Sequence, residues 1–240
     1  LKNTSWHNTP SILNQKTTAP NKSNYDLLKL DFGGYFDKII VLKVNIPPQG
    51  AGGRMMEYKI MIQGTPNPNA LKFVLNVPVK TLGNVTYRTA EDCHKNPLAR
   101  KIFSIPNISE VYIFDNYITV TQDGSADWDT IEDKVKNLIL ENIATHNPEF
   151  EVDEPKKTVA PAPTDPELIK IDAIINKNVR PYLQMDGGDL QLVALNGNVL
   201  MINYQGACGS CPSSAMGTLK AIENLLRDEY NPEITVELAV

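Results

Sequence analysis

Residues 190–214 read LQLVALNGNVLMINYQGACGSCPSS. Two apolar runs, 190–195 and 199–204, flank Asn196-Gly197-Asn198, which is tight-hairpin chemistry. The second run leads into Gly206-Ala207-Cys208-Gly209-Ser210-Cys211-Pro212. Ser213 or Ser214 is then placed to cap a helix running to Arg227, with Met216, Leu219, Ile222, Leu225 and Leu226 on its inner face. Upstream, Asp165-Pro166 opens a helix with a cap and a first-turn proline. Leu168, Ile171, Ile175, Val179 and Tyr182 follow one face of it as far as about Gln184. Asp186-Gly187-Gly188-Asp189 breaks that helix, and the alternation of Ile234, Val236 and Leu238 in 233–240 predicts a last strand. Residues 165–240 therefore read α-β-β-α-β, a small domain with a modest margin of stability.

Working outward, residues 151–164 (EVDEPKKTVAPAPT) carry three prolines and no apolar period, which is linker composition. A linker at this point makes two small α+β domains whose relative position can vary. The first domain spans 55–150. Strands are predicted over 58–62 and 70–77, separated by the turn-forming Thr65-Pro66-Asn67-Pro68-Asn69. A helical run lies within 90–103, with Leu98, Ile102 and Phe103 on one face. A hairpin turns at Asp115-Asn116, and Asp127 caps a helix whose Ile131, Val135, Leu138 and Ile139 fall at helical spacing. Residues 1–54 are expected to be a disordered extension. Their first 24 residues are polar and aperiodic, and residues 38–46 offer one isolated strand before Pro47-Pro48.

Composition excludes several classes. Hydrophobic residues make up 42% of the chain, which excludes wholesale disorder, and no apolar run approaches the length of a membrane span. Net charge is −5, and the only positive excess lies in residues 1–54. A nucleic-acid protein would carry a basic stripe on a folded region, so neither nucleic acid nor membrane is an expected partner. Three cysteines, two of them three positions apart, make no disulfide framework but suit metal or redox chemistry in a reducing compartment. No secretory signal and no Arg-rich, acid-poor presequence is legible, so the cytoplasm is the expected location.

Cys208 and Cys211 follow a strand and precede a helix, whose N-terminal dipole favours thiolate. Gly206 and Gly209 are expected to turn the backbone and leave room beside the sulfurs, with Pro212 near the first helical position. Four readings fit such a pair. Both thiols are structural; or they form a dithiol–disulfide oxidoreductase; or they bind zinc; or they bind an iron–sulfur cluster. Zinc and a [4Fe–4S] cube each want four ligands, and residues 165–240 hold no histidine and no further cysteine. Either metal reading therefore needs two chains, each giving Cys208 and Cys211. Elsewhere, Cys93-His94 reads as structural or exposed, His7 and His146 as solvated, and 65–73 as a stiff surface turn. Two carboxylates make Asp186-Gly187-Gly188-Asp189 a poor cation site. It is expected to be a turn with positive φ, with Gly187 and Gly188 packed near the cysteine loop.

Val179-Arg180-Pro181-Tyr182-Leu183, Asp186-Gly187-Gly188-Asp189 and the GACGSCPSS loop together resemble the C-terminal domain of NifU and Nfu-type iron–sulfur scaffold proteins. The resemblance covers essentially all of 166–240. Residues 57–146 resemble the Nfu N-terminal domain through 65–73, Pro97-Leu98-Ala99 with Ile102-Phe103, and the hairpin from Phe114 to Val120. The two resemblances cover about two thirds of the chain, and 1–54 matches neither. They imply a homodimeric carrier, not an enzyme. It would hold a labile [4Fe–4S] cluster on Cys208 and Cys211 of two subunits, take it from cluster-assembly donors and pass it to apo-proteins. A Cys208→Ser change is expected to abolish uptake and leave the fold intact, on the view that an exposed loop thiol packs little.

Overall fold

In the computed structural model of this chain, residues 25–31, 37–44, 56–152, 165–209 and 217–239 are described; for 25–31, 37–44 and Met56 this means the backbone alone. Cys211 and Pro212 lie outside the described residues, as do His7, Ser213, Ser214 and most of the 151–164 linker. Among the described residues no helix is long and apolar enough to cross a membrane.

The strands β1 (Tyr25–Asp31), β2 (Asp37–Val44), β3 (Met56–Gly64), β4 (Ala70–Leu75), β5 (Asn84–Tyr87), β6 (Ile108–Phe114) and β7 (Tyr117–Gln122) make one antiparallel sheet. Its order is β1-β2-β3-β4-β7-β6-β5. Alternation assigns its core face: Tyr58, Ile60, Ile62, Phe73, Leu75, Val111, Ile113, Ile118 and Val120 are buried in one cluster. Helices α1 (Pro97–Ile102) and α2 (Trp128–Ile143) cover that face through Leu98, Ile102, Ile131, Val135 and Ile139. Asp127 caps α2 as expected, accepting from the Asp129 amide at 3.1 Å. The helical run in 90–103 is two pieces, a short 3-10 turn (Ala90–Cys93) and α1, because Pro97 restarts the chain as a new first turn capped by Asn96. Strand β5, four residues long, is not among the sequence expectations; its Val85 and Tyr87 alternate into the core.

The expectation for residues 1–54 is corrected at 25–31 and 37–44. Strand β1 pairs with β2, and β2 runs along β3 from Asp37 opposite Gln63 to Val44 opposite Met56. An isolated strand in the sequence has no visible partner; here the open backbone edge of β3 supplies one. His146 is corrected too. It is half-buried, and its Nε2–H donates to the Val79 carbonyl at 2.8 Å.

The second domain packs helices α3 (Pro166–Asn178), α4 (Arg180–Met185) and α5 (Leu219–Glu229) on a sheet of order β10-β9-β8. Its strands are β8 (Gly188–Asn196), β9 (Val199–Gly206) and β10 (Thr235–Leu238), with β10 parallel to β9. The order α-β-β-α-β holds, with the first helix divided. Val179 leaves helical geometry (φ −120°, ψ −52°) because Pro181 lacks an N–H and crowds the preceding turn. The break turns Tyr182 outward, 66% exposed, against the expectation that it lies on the inner face. Ile171, Ile175, Leu190, Leu200, Ile202, Ile222 and Leu226 form the core.

The two domains meet on the other face of the large sheet. All six residues of β7 are buried, since the helices cover one side of it and the second domain covers the other. Asp189, only 1% exposed, sits at this junction. It pairs with Arg180 within its own domain and accepts from Asn84 Nδ2 (3.3 Å) and the Tyr112 hydroxyl (3.4 Å) of the first. Arg180 also holds Asp172 at 3.1 Å and the Leu190 carbonyl at 2.9 Å.

Two stability outcomes follow from this packing. Ile175→Ala removes a fully buried side chain from the smaller core and should cost about 2–5 kcal/mol in urea unfolding. Asp189→Ala leaves Arg180 short of its buried partner. It should cost upwards of about 2 kcal/mol, with Asp189→Asn losing less because it keeps the hydrogen-bond acceptor.

Candidate functional site: the cysteine loop

The path of β9 brings Cys208 to the site. Pairing between β8 and β9 ends with Gly188 opposite Gly206, so the Asp186–Asp189 turn and the start of the cysteine loop lie side by side. Gly206 has φ +61° and is pressed on both sides. A Cβ placed there would stand 2.6 Å from the Gly187 carbonyl oxygen and 2.9 Å from the Tyr112 ring. Its bareness serves the chain turn and the approach of the first domain, not the sulfur. The space at the sulfur comes from Gly188, where a Cβ would meet Cys208 Sγ at 2.5 Å. Of the two glycines expected at positive φ, Gly187 has it (φ +80°) and Gly188 instead begins β8; Gly209 is exposed, in the turn after Cys208.

The thiol itself is not exposed. Cys208 is 6% accessible and packs within the core of the second domain, so the premise that a loop thiol adds little packing is corrected. The backbone around Cys208 is also held by the first domain. The Asn67 side-chain amide donates to the Ala207 carbonyl at 3.0 Å. Thr119 donates its hydroxyl to the Gly187 carbonyl at 2.7 Å, and Lys72 Nζ donates to the carbonyls of Gln184 (2.9 Å) and Met185 (3.2 Å). The Asn67 contact shows that the 65–73 turn faces the cysteine loop.

Burial dominates the electrostatics here. It pushes the Lys72 ammonium down, opposed by the Asp186 carboxylate, and pushes the Glu110 carboxyl up to about 7, opposed by Arg88 at 3.3 Å. The phenols of Tyr117 and Tyr204 are also raised, first by burial and, for Tyr117, next by the Asp189 carboxylate. Glu110 Oε1, Gln205 Oε1 and the Tyr204 hydroxyl are buried without a hydrogen-bond partner. Each such group costs about 1–3 kcal/mol.

Cys93 stands apart in the core of the first domain. Its thiol donates to the Thr89 carbonyl at 3.4 Å and is pushed up to about 12, chiefly by burial and then by Asp92. That is the structural role the sequence assigned it, and adjacent His94 is exposed. A cleft of about 520 Å³ lined by Lys101, Asn142, His146 and Glu149 contains no residue of the cysteine loop. Helix α5 is described from Leu219, and its cap residue Thr218 makes no side-chain bond to it. Among the described residues no three His, Cys, Asp or Glu side chains gather as a metal site. Sequence reasoning missed Asn67, Lys72, Tyr112 and Thr119 as neighbours of the loop. The signal was there, as polar side chains at alternate positions within otherwise apolar strands.

Comparison with known proteins agrees with the geometry. Residues 60–146 match the family model described as scaffold protein Nfu/NifU N terminal, and residues 171–237 match the NifU-like domain. The human protein named NFU1 iron-sulfur cluster scaffold homolog, mitochondrial, is 30% identical over 176 residues, covering 73% of this chain and 69% of that one. The protein of the same name from Drosophila erecta is 30% identical over 196 residues, covering 81% and 68%. The Drosophila persimilis protein is 30% identical over 177 residues, and this chain spans 62% of its length. The solution structure of a NifU-like protein from Saccharomyces cerevisiae aligns with 47% of this chain and all of that one, at 20% identity and a TM-score of 0.35. These names overturn the cytoplasmic expectation, since all three relatives are called mitochondrial. That expectation rested on finding no presequence in a stretch that begins at Leu1, which is no test of a leader. With both domain models matched in order and relatives aligned over most of its length, the chain belongs to the Nfu/NifU family of iron–sulfur cluster scaffold proteins.

Proposed function

We propose that this chain is a mitochondrial carrier, without enzymatic activity of its own, that holds a labile [4Fe–4S] cluster between two copies of itself and passes it to apo-proteins. Cys208 and Cys211 of each copy are the ligands, and cluster-assembly proteins are the donors. One observation carries this reading: of the three cysteines, Cys93 is locked in a core as a high-pKa thiol, so one chain has only the C-x-x-C pair to offer. A cube with four thiolate ligands then takes two chains. Cargo divided between subunits leaves when they part, which suits a carrier better than four ligands from one chain would. Gly188 serves this reading by making room for the Cys208 sulfur.

Anaerobic reconstitution of the full chain with iron and sulfide tests it. A carrier should gain broad absorption near ~400 nm and about four irons per dimer, and Cys208→Ser should lose both. A full cube on a chain that stays single in solution overturns the reading, as does insulin reduction without bound iron. Gly188→Ala should lower iron uptake severalfold, because its methyl group and the Cys208 sulfur compete for the same space. Gly217→Ala, where an added Cβ meets nothing within 4 Å, should not.

A further inference from the structure

Strands β4, β6 and β7 turn Lys72, Tyr112 and Thr119 away from the helices of their own domain and onto the second domain. An antiparallel sheet with one face packed by helices ordinarily gives its polar face to water. Here that face is buried: Lys72 is 8% and Glu110 9% exposed, and Tyr112 and Thr119 are inaccessible. What covers it is the edge of the second domain that carries Cys208. The fit is specific, because three polar side chains of the sheet face and its Asn67 turn find the carbonyls of Gln184, Met185, Gly187 and Ala207 and the carboxylate of Asp189. It is also incomplete, because among the described residues Glu110 Oε1 and Gln205 Oε1 end up buried and unbonded.

We propose that this sheet face is a docking surface for the cysteine loop of the same chain, and that docking withholds Cys208 from the second copy with which a cluster would be shared. The inference rests on the carrier reading above. The loop residues next to the sulfur, Gly206 and Ala207, are pressed against the Tyr112 ring and held by Asn67 of the first domain, so a Cys208 docked this way does not reach a metal at a subunit interface, and docking and loading exclude one another. Loading then displaces the first domain and bares its polar face, and whatever stabilises the docked state weakens loading by the same factor. The satisfied carbonyls give the docked state its register. The unbonded atoms keep it shallow enough to open. Fully extended, the 151–164 stretch spans about 45 Å, ample for the domains to part without unfolding.

The test is site-resolved alkylation of the full-length, reduced, metal-free chain by iodoacetamide, read by mass spectrometry at Cys208 and Cys93. Lys72→Glu sets a carboxylate against two carbonyls and Asp186; Thr119→Glu, a second and independent change, sets one against the Gly187 carbonyl. Both should speed labelling of Cys208 about tenfold or more and leave Cys93 unchanged. Cys208 labelled equally fast in all three proteins overturns the proposal. So does acceleration of Cys208 and Cys93 in parallel in both variants, since unfolding rather than undocking then exposes the thiol. Iron uptake is scored separately. If none of the three binds iron while Cys208 protection responds as stated, the carrier reading fails and the docking stands; if all bind iron and protection does not respond, the docking alone fails.

Discussion

The arrangement of this molecule depends on a polar sheet face that is not left to water. Lys72, Tyr112 and Thr119 occupy alternate positions in strands whose other positions fill an aliphatic core; Lys72 and Thr119 bond to backbone carbonyls of the second domain, and Tyr112 to the Asp189 carboxylate. A lysine this deeply buried is tolerable only when its donors are satisfied, and two carbonyls and the cation–π contact with Tyr117 do that. The contact fixes the turn at Gly187, the turn fixes β8 against β9, and the pairing of Gly188 with Gly206 sets the position of Cys208.

Asp189 joins the internal order of the second domain to its docking. Within its own domain it holds Arg180, which ties the start of α4 to α3 and β8; across the junction it takes hydrogen bonds from Asn84 and Tyr112. The same buried carboxylate therefore stabilises the small domain and marks where the large one sits. The unbonded atoms beside Cys208 oppose this. Their desolvation cost subtracts from the gain of the carbonyl bonds. A thiol meant only for packing would need neither feature, and Cys93, buried with its hydrogen bond to Thr89, has neither.

Legibility in the sequence followed the range of the interactions. The hairpin at Asn196-Gly197-Asn198, the caps Asp127 and Asp165, and the buried faces of α2 and α3 were all readable, because caps, turns and helical periods are written within a few residues. The single helix to Gln184 was not, because its apolar period runs through Pro181 while the backbone cannot. Strand β1 and the pairing of β2 escaped for another reason: a strand's partner is not recorded in the strand. In the site, Gly187 and Gly188 do lie near the loop, but the room at the Cys208 sulfur was assigned to Gly206 and Gly209, and the structure has it at Gly188 across the ladder.

By itself the sequence determined the make-up of the candidate site: a C-x-x-C pair with no histidine or further cysteine in its domain, in a domain order that the Nfu/NifU family shares. Tertiary structure alone decided that Cys208 is covered and which residues cover it. Ligand type and spacing are local properties of a chain. Burial is not, since Thr119 and Gly187 lie 68 residues apart and meet only when two separately patterned domains bring their polar groups together.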